Sequence, residues 1–191
     1  MASILQSLPK TVTSGFVLAA ILFIFIGGMS FDLSSLTFLF LWLHVISGVM
    51  WIGLLWYFNF VQIPNMPNIP DEQKPAIGKV IAPAALFWFR WGAMATLITG
   101  LLVAMGNNYL SEALMLQAPA TTIGIGMWLG AIMWFNVWFV IWPNQKKALG
   151  MVEADADTKA KAARTAMLFS RTNTLLSIPM LFCMVAQKNL F

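Results

Sequence analysis

LTFLFLWLHVISGVMWIGLLWYFNFVQI fills positions 36–63 without one Asp, Glu, Lys or Arg. About 20 mostly apolar residues cross the hydrocarbon of a bilayer as a helix. This stretch is long enough to cross at a tilt or to project from the bilayer. In hydrocarbon a backbone must satisfy its own polar groups, so the run predicts a helix. Four more stretches repeat the pattern, at 14–29 (ended by Gly27-Gly28), 84–105, 121–143 and 166–186. The last is preceded by an amphipathic, charged segment from about residue 156. The expected fold class is all-α: a polytopic integral membrane helical bundle of about five transmembrane helices, forming one domain over residues 1–191.

Composition agrees. The chain is 60% hydrophobic and 9% charged, where soluble domains carry about 25% charged residues. Too few charges remain to clothe a soluble globule. The single cysteine, Cys183, excludes an intrachain disulfide and Cys-based zinc or iron–sulfur sites. The single histidine, His44, excludes a bis-histidine haem within one chain, and no metal site is expected. Only Lys10 precedes the first apolar run, with no small-x-small cleavage site after it, so an uncleaved first helix is expected.

The basic residues set the orientation. Lys146, Lys147, Lys159, Lys161 and Arg164 fall between the fourth and fifth spans, Lys74 and Lys79 between the second and third, and Lys10 before the first. Five spans put these three regions on one side. The other side holds Asp32, Glu112 and Lys188. Lys and Arg favour the cytoplasmic face, so the N-terminus is expected inside, in a bacterial inner membrane. The net charge of +4 then reads as an orientation signal and a contact with anionic lipids, not as a nucleic-acid surface. Pro64, Pro67, Pro70 and Pro75 predict an extended or turning loop over 64–83. Pro179 predicts a kink in the fifth helix. Gly126 and Gly130, four apart, predict a close helix contact.

Three ionisable residues lie inside predicted spans, where each costs about 2.5 kcal/mol or more. His44 has Ser47, Gly48, Trp51, Leu55 and Asn59 after it along one helical face. It is either a neutral histidine bonded to a neighbouring helix or an axial ligand of haem b, with a small residue one turn away to admit a flat ring. Arg90 and Arg171 sit early in the third and fifth spans. Either they snorkel to headgroups or they face a shared polar pocket. Ser170, Asn173, Thr174 and Ser177 form a stripe at i, i+3, i+4, i+7. Asn59, Asn136, Asn144 and Gln145 come from other spans at similar depth. These amides serve either as interhelical glue or, with two guanidinium forks, as a site for a planar, oxygen-rich anion.

Four segments carry a family resemblance: LHVISGVMWIG (43–53), LFWFRWGAMATLITG (86–100), NVWFVIWPNQKKALG (136–150) and SRTNTLLSIPMLF (170–182). In this order they resemble the membrane domain of the bacterial urate oxidases, also called urate hydroxylases. Pro143-Asn144-Gln145-Lys146-Lys147 is the most specific part. The resemblance covers most of the chain from about residue 36. It implies a multi-span membrane domain working with a cytochrome c, which in that family is commonly fused at the C-terminus. This chain is shorter than that domain and has no Cys-x-x-Cys-His, so any cytochrome c is a separate partner. The family's Ser-Arg-His-Asn stands here as Ser170-Arg171-Thr172-Asn173. A histidine is thus replaced by Thr172, which leaves at most half of a two-histidine site.

Three functions follow as expectations. The first is a non-catalytic or accessory subunit of a larger redox or respiratory membrane complex, in contact with lipids and other membrane subunits. The second is an oxidoreductase of urate or a related planar anion that passes electrons to a separate cytochrome c. The third is a small carrier or lipid-binding protein.

Overall fold

The computed structural model describes residues 2–27 and 32–190. Gly28 and Met29, the expected end of the first span, lie outside the described residues. After a single turn at Ala2–Leu5, the helices are α1 (Leu8–Gly27), α2 (Leu33–Trp56), α3 (Ala82–Gly106), α4 (Leu110–Leu114), α5 (Thr121–Phe135), α6 (Trp142–Ala148) and α7 (Ala156–Asn189). Joined through short irregular turns, they make five helical rods long and apolar enough to cross a membrane: Leu8–Ile26, Leu33–Asn68, Lys74–Gly106, Thr121–Ala148 and Ala156–Asn189. There is no strand among the described residues.

The rods pack as two antiparallel pairs. α3 descends α2, since Gly92 meets Trp51, Gly100 meets His44 and Gly106 meets Thr37. α7 runs back along α5 and α6, with Gln187 at Ile123, Cys183 at Gly126 and Asn173 at Asn136. A core of Trp51, Leu55, Phe58, Leu86, Phe89, Met133, Val137 and Met180 joins the pairs. A second cluster around Ala113, Ala120 and Ile123 seats α4 against α5. α1 stands apart. None of its described side chains is buried, and its ring contacts are Phe16 on Trp42 and Phe23 on Phe38.

Between Pro64 and Pro83 the backbone is mostly helical, not extended. The reason is a device used three times. π-Helical turns occupy Tyr57–Gln62, Ile77–Ile81 and Asn136–Ile141. Each closes with an i→i−5 bond immediately before a proline: Ile63 to Phe58, Ala82 to Ile77 and Trp142 to Val137. Proline lacks an N–H and its ring crowds the carbonyl four residues back. The wider turn absorbs that conflict, and Pro64, Pro83 and Pro143 then fall in the first turn of the next α segment, where no N–H is required. Pro179 lies inside α7, which continues unbroken around it. Gly126 packs against α7, where an added Cβ would stand 3.0 Å from Cys183 Cβ, but a Cβ at Gly130 would meet nothing within 4 Å, so the expected glycine pair does not form one contact.

Candidate functional site

The amides of α5 and α7 meet at the centre of the second helix pair. Asn173 is fully buried and Asn136 is 7% exposed. Asn136 Nδ2 donates to Asn173 Oδ1 at 2.8 Å, and Asn173 Nδ2 donates to the Met133 carbonyl at 2.9 Å. The stripe on α7 faces inward as its spacing predicts, with Ser170 6% and Ser177 0% exposed. It ties α7 to α2. Asn59 Nδ2 donates to Ser170 Oγ at 2.8 Å, and Trp56 Nε1 donates to Ser177 Oγ at 3.0 Å. Asn144 turns back onto its own helix, to the Val140 carbonyl at 2.8 Å. Gln145 is half-buried in α6 and makes no side-chain hydrogen bond among the described residues.

The two arginines do not share a pocket. Arg90 is half-buried, with its guanidinium carbon 3.3 Å from the centroid of the Trp142 ring and 5.8 Å from that of Trp138. Its Nε donates to the Leu86 carbonyl at 3.1 Å. Beyond that backbone bond it is held by indole faces, a cation–π arrangement, and not by side-chain amide oxygens. Lys146 approaches the same Trp142 ring at 5.6 Å. Arg171 is exposed and bonds no described residue, and Thr172 beside it is exposed and bonds back to the Leu168 carbonyl at 3.1 Å. Successive helical residues turn by about 100°. Burying Ser170 and Asn173 therefore points Arg171 away from the bundle.

His44 crosses to α3. Its Nδ1 lies 2.9 Å from the Thr96 carbonyl. A carbonyl only accepts, so Nδ1 carries the proton. The ring fills the space a side chain would take at Gly100, where a Cβ would stand 2.8 Å from Cε1 and 3.1 Å from Nδ1. Below it Gly92 brings α3 onto the Trp51 backbone, within 3.3 Å of a Cβ position, and a Cβ at Gly48 would stand 4.0 Å from the Thr96 methyl. The space at Gly100 is thus filled by the histidine ring. No group of three or more His, Cys, Asp or Glu side chains suited to a metal exists among the described residues.

Two features carried no sequence signal. Clefts of about 810 and 450 Å³ open between α1 and α2 and beside Asp32 at the start of α2, away from the amides. Among the described residues, several buried polar side-chain atoms have no partner: the indole nitrogens of Trp51, Trp134 and Trp138, and the amide oxygens of Asn59 and Gln62.

The fold and these contacts define a helical bundle of five membrane-length rods, clamped by buried amides. Within it, residues 114–189 match the model of the urate oxidase N-terminal family, so that part of the chain is urate oxidase N-terminal-like. The match takes in Asn136, Asn144, Gln145, Arg171 and Asn173, but not His44, Asn59 or Arg90. No curated protein and no solved structure matches the chain.

Proposed function

We propose that this chain is an integral membrane subunit, non-catalytic in itself, of a larger redox assembly in a bacterial cytoplasmic membrane, with its N-terminus inside. One observation carries the reading: the Asn and Ser side chains buried between the helices bond one another and backbone across helices. Asn136, Asn173, Ser170, Ser177 and Asn59 form interhelical bonds, and His44 does the same on α3. Between apolar helices in lipid there is little hydrophobic drive to associate, so such bonds and close packing hold the bundle. Groups used this way are not free to handle a substrate.

A second reading has its own support. Trp134 and Trp138 keep unpartnered indole N–H donors, and Trp138 lies by the Arg90 guanidinium. Donors beside a cation suit a planar anion such as urate, as the match at residues 114–189 suggests. Electrons would then pass to a separate cytochrome c. Incubating the purified chain with urate and ferricytochrome c separates the two. The subunit reading expects no urate-dependent reduction above the protein-free rate. Reduction that disappears in Arg90→Met overturns it in favour of the oxidoreductase.

A further inference from the structure

The outward face of α7 presents Lys161, Arg164, Leu168, Arg171, Leu175, Ile178, Phe182 and Val185 in one line, spaced alternately by three and four residues, and all exposed. Its first half carries three cations, Lys161, Arg164 and Arg171, and the rest is apolar. Leu175, Ile178 and Phe182 are each more than 60% exposed. Asp157 is the one acid on this line, a turn before Lys161, and it makes no ion pair. None of the three cations bonds a described side chain. Arg171 stands inside the apolar run that begins near residue 166.

We propose that this face holds one anionic phospholipid, with its phosphate between Arg164 and Arg171 and an acyl chain along Leu175, Ile178 and Phe182. Side chains on a helix lean toward its N-terminus. Arg171 therefore reaches down toward Arg164, whose Cα lies about 10 Å lower at 1.5 Å per residue. Long cationic side chains run their stems over apolar surface and keep the head at the polar boundary. Two guanidinium forks on one exposed face, Arg171 reaching down from above and Arg164 two turns below it, suit a phosphodiester at headgroup depth. A partner helix would have to bring a carboxylate to the depth of Arg171, which is costly in hydrocarbon. A phospholipid of the leaflet at the basic end brings its charge to that depth unaided. This site stands on the outward face of α7 alone and does not depend on whether the interior is catalytic.

Native mass spectrometry of the full-length chain in neutral detergent tests the site. Phosphatidylglycerol and phosphatidylcholine of identical acyl chains are the probes. Phosphatidylglycerol is expected to be retained in excess, and each arginine to account for roughly a fivefold share. Arg164→Gln with Arg171→Gln should abolish the excess. Lys146→Gln with Lys147→Gln, the same change of charge elsewhere, should keep it. If the double arginine variant melts early, Arg171→Gln alone decides: a roughly fivefold loss supports the site, and no loss overturns it. Equal retention of the two lipids, or an equal loss in the lysine control, also overturns it. So does a benzophenone amino acid at position 175 that crosslinks in native membranes to a polypeptide and not to lipid.

Discussion

Asn173 uses both ends of its amide, accepting from Asn136 and donating to the Met133 carbonyl. Asn173→Ala leaves buried partners unsatisfied, at about 1–3 kcal/mol. Replacing Asn136 and Asn173 together by leucine removes donor and acceptor at once and should cost less than Asn173→Ala alone. Thermal melts followed by tryptophan fluorescence check this order; a double variant that is the worst of the set would show that the amides do more than bind each other. The arginines give a second contrast. Arg90→Met loses the indole contact with Trp142 and should cost about 0.5–2 kcal/mol, while Arg171→Met should leave the melt unchanged. Equal losses would contradict the outward placement of Arg171. The sequence left that placement open between headgroups and a pocket, although the spacing that buries Ser170 and Asn173 turns Arg171 away. His44's partner was not legible, because a backbone carbonyl such as that of Thr96 carries no side-chain signature.

At the scale of elements, the apolar runs announced every rod, and their ends were misjudged where prolines stood. Pro64, Pro83 and Pro143 suggest breaks when read one at a time. The π turns before them restore helix, and this depends on backbone hydrogen bonding that composition does not encode. The start of α2 was plainer. Asp32 accepts from the Ser35 N–H at 2.9 Å and from the Ser34 hydroxyl at 2.8 Å. These bonds, the backbone one foremost, hold its carboxyl down at about 2, below the usual 3.8. A carboxylate with a depressed folded value stabilises the folded end fully above the unfolded value, and that help is lost as pH falls through the folded one. Protection of the Ser35 and Leu36 amides, taken against the intrinsic exchange rate at each pH, should therefore hold down to about pH 4 and fall between about pH 4 and 2. An Asp32→Ala chain should show low protection throughout. Protection in it equal to the parent's would contradict the cap.

For the whole molecule, hydropathy made the five rods readable, because it is a sum over many residues. The detachment of α1 was not readable, since its apolar surface looks alike whether it meets protein or lipid. The proposed orientation rests on the basic loops. In a Cys183→Ala background, Glu112→Cys should react with an impermeant maleimide on intact cells and Glu153→Cys should not; the reverse would invert the bundle. The central claim is that the chain is a non-catalytic part of something larger. Its most direct test is the size of the native species, tagged at its own locus and extracted in mild detergent. A band on a native gel well above the 21.2 kDa chain, containing other polypeptides with redox centres, is the predicted result. A lone chain that carries out urate oxidation unaided would contradict it.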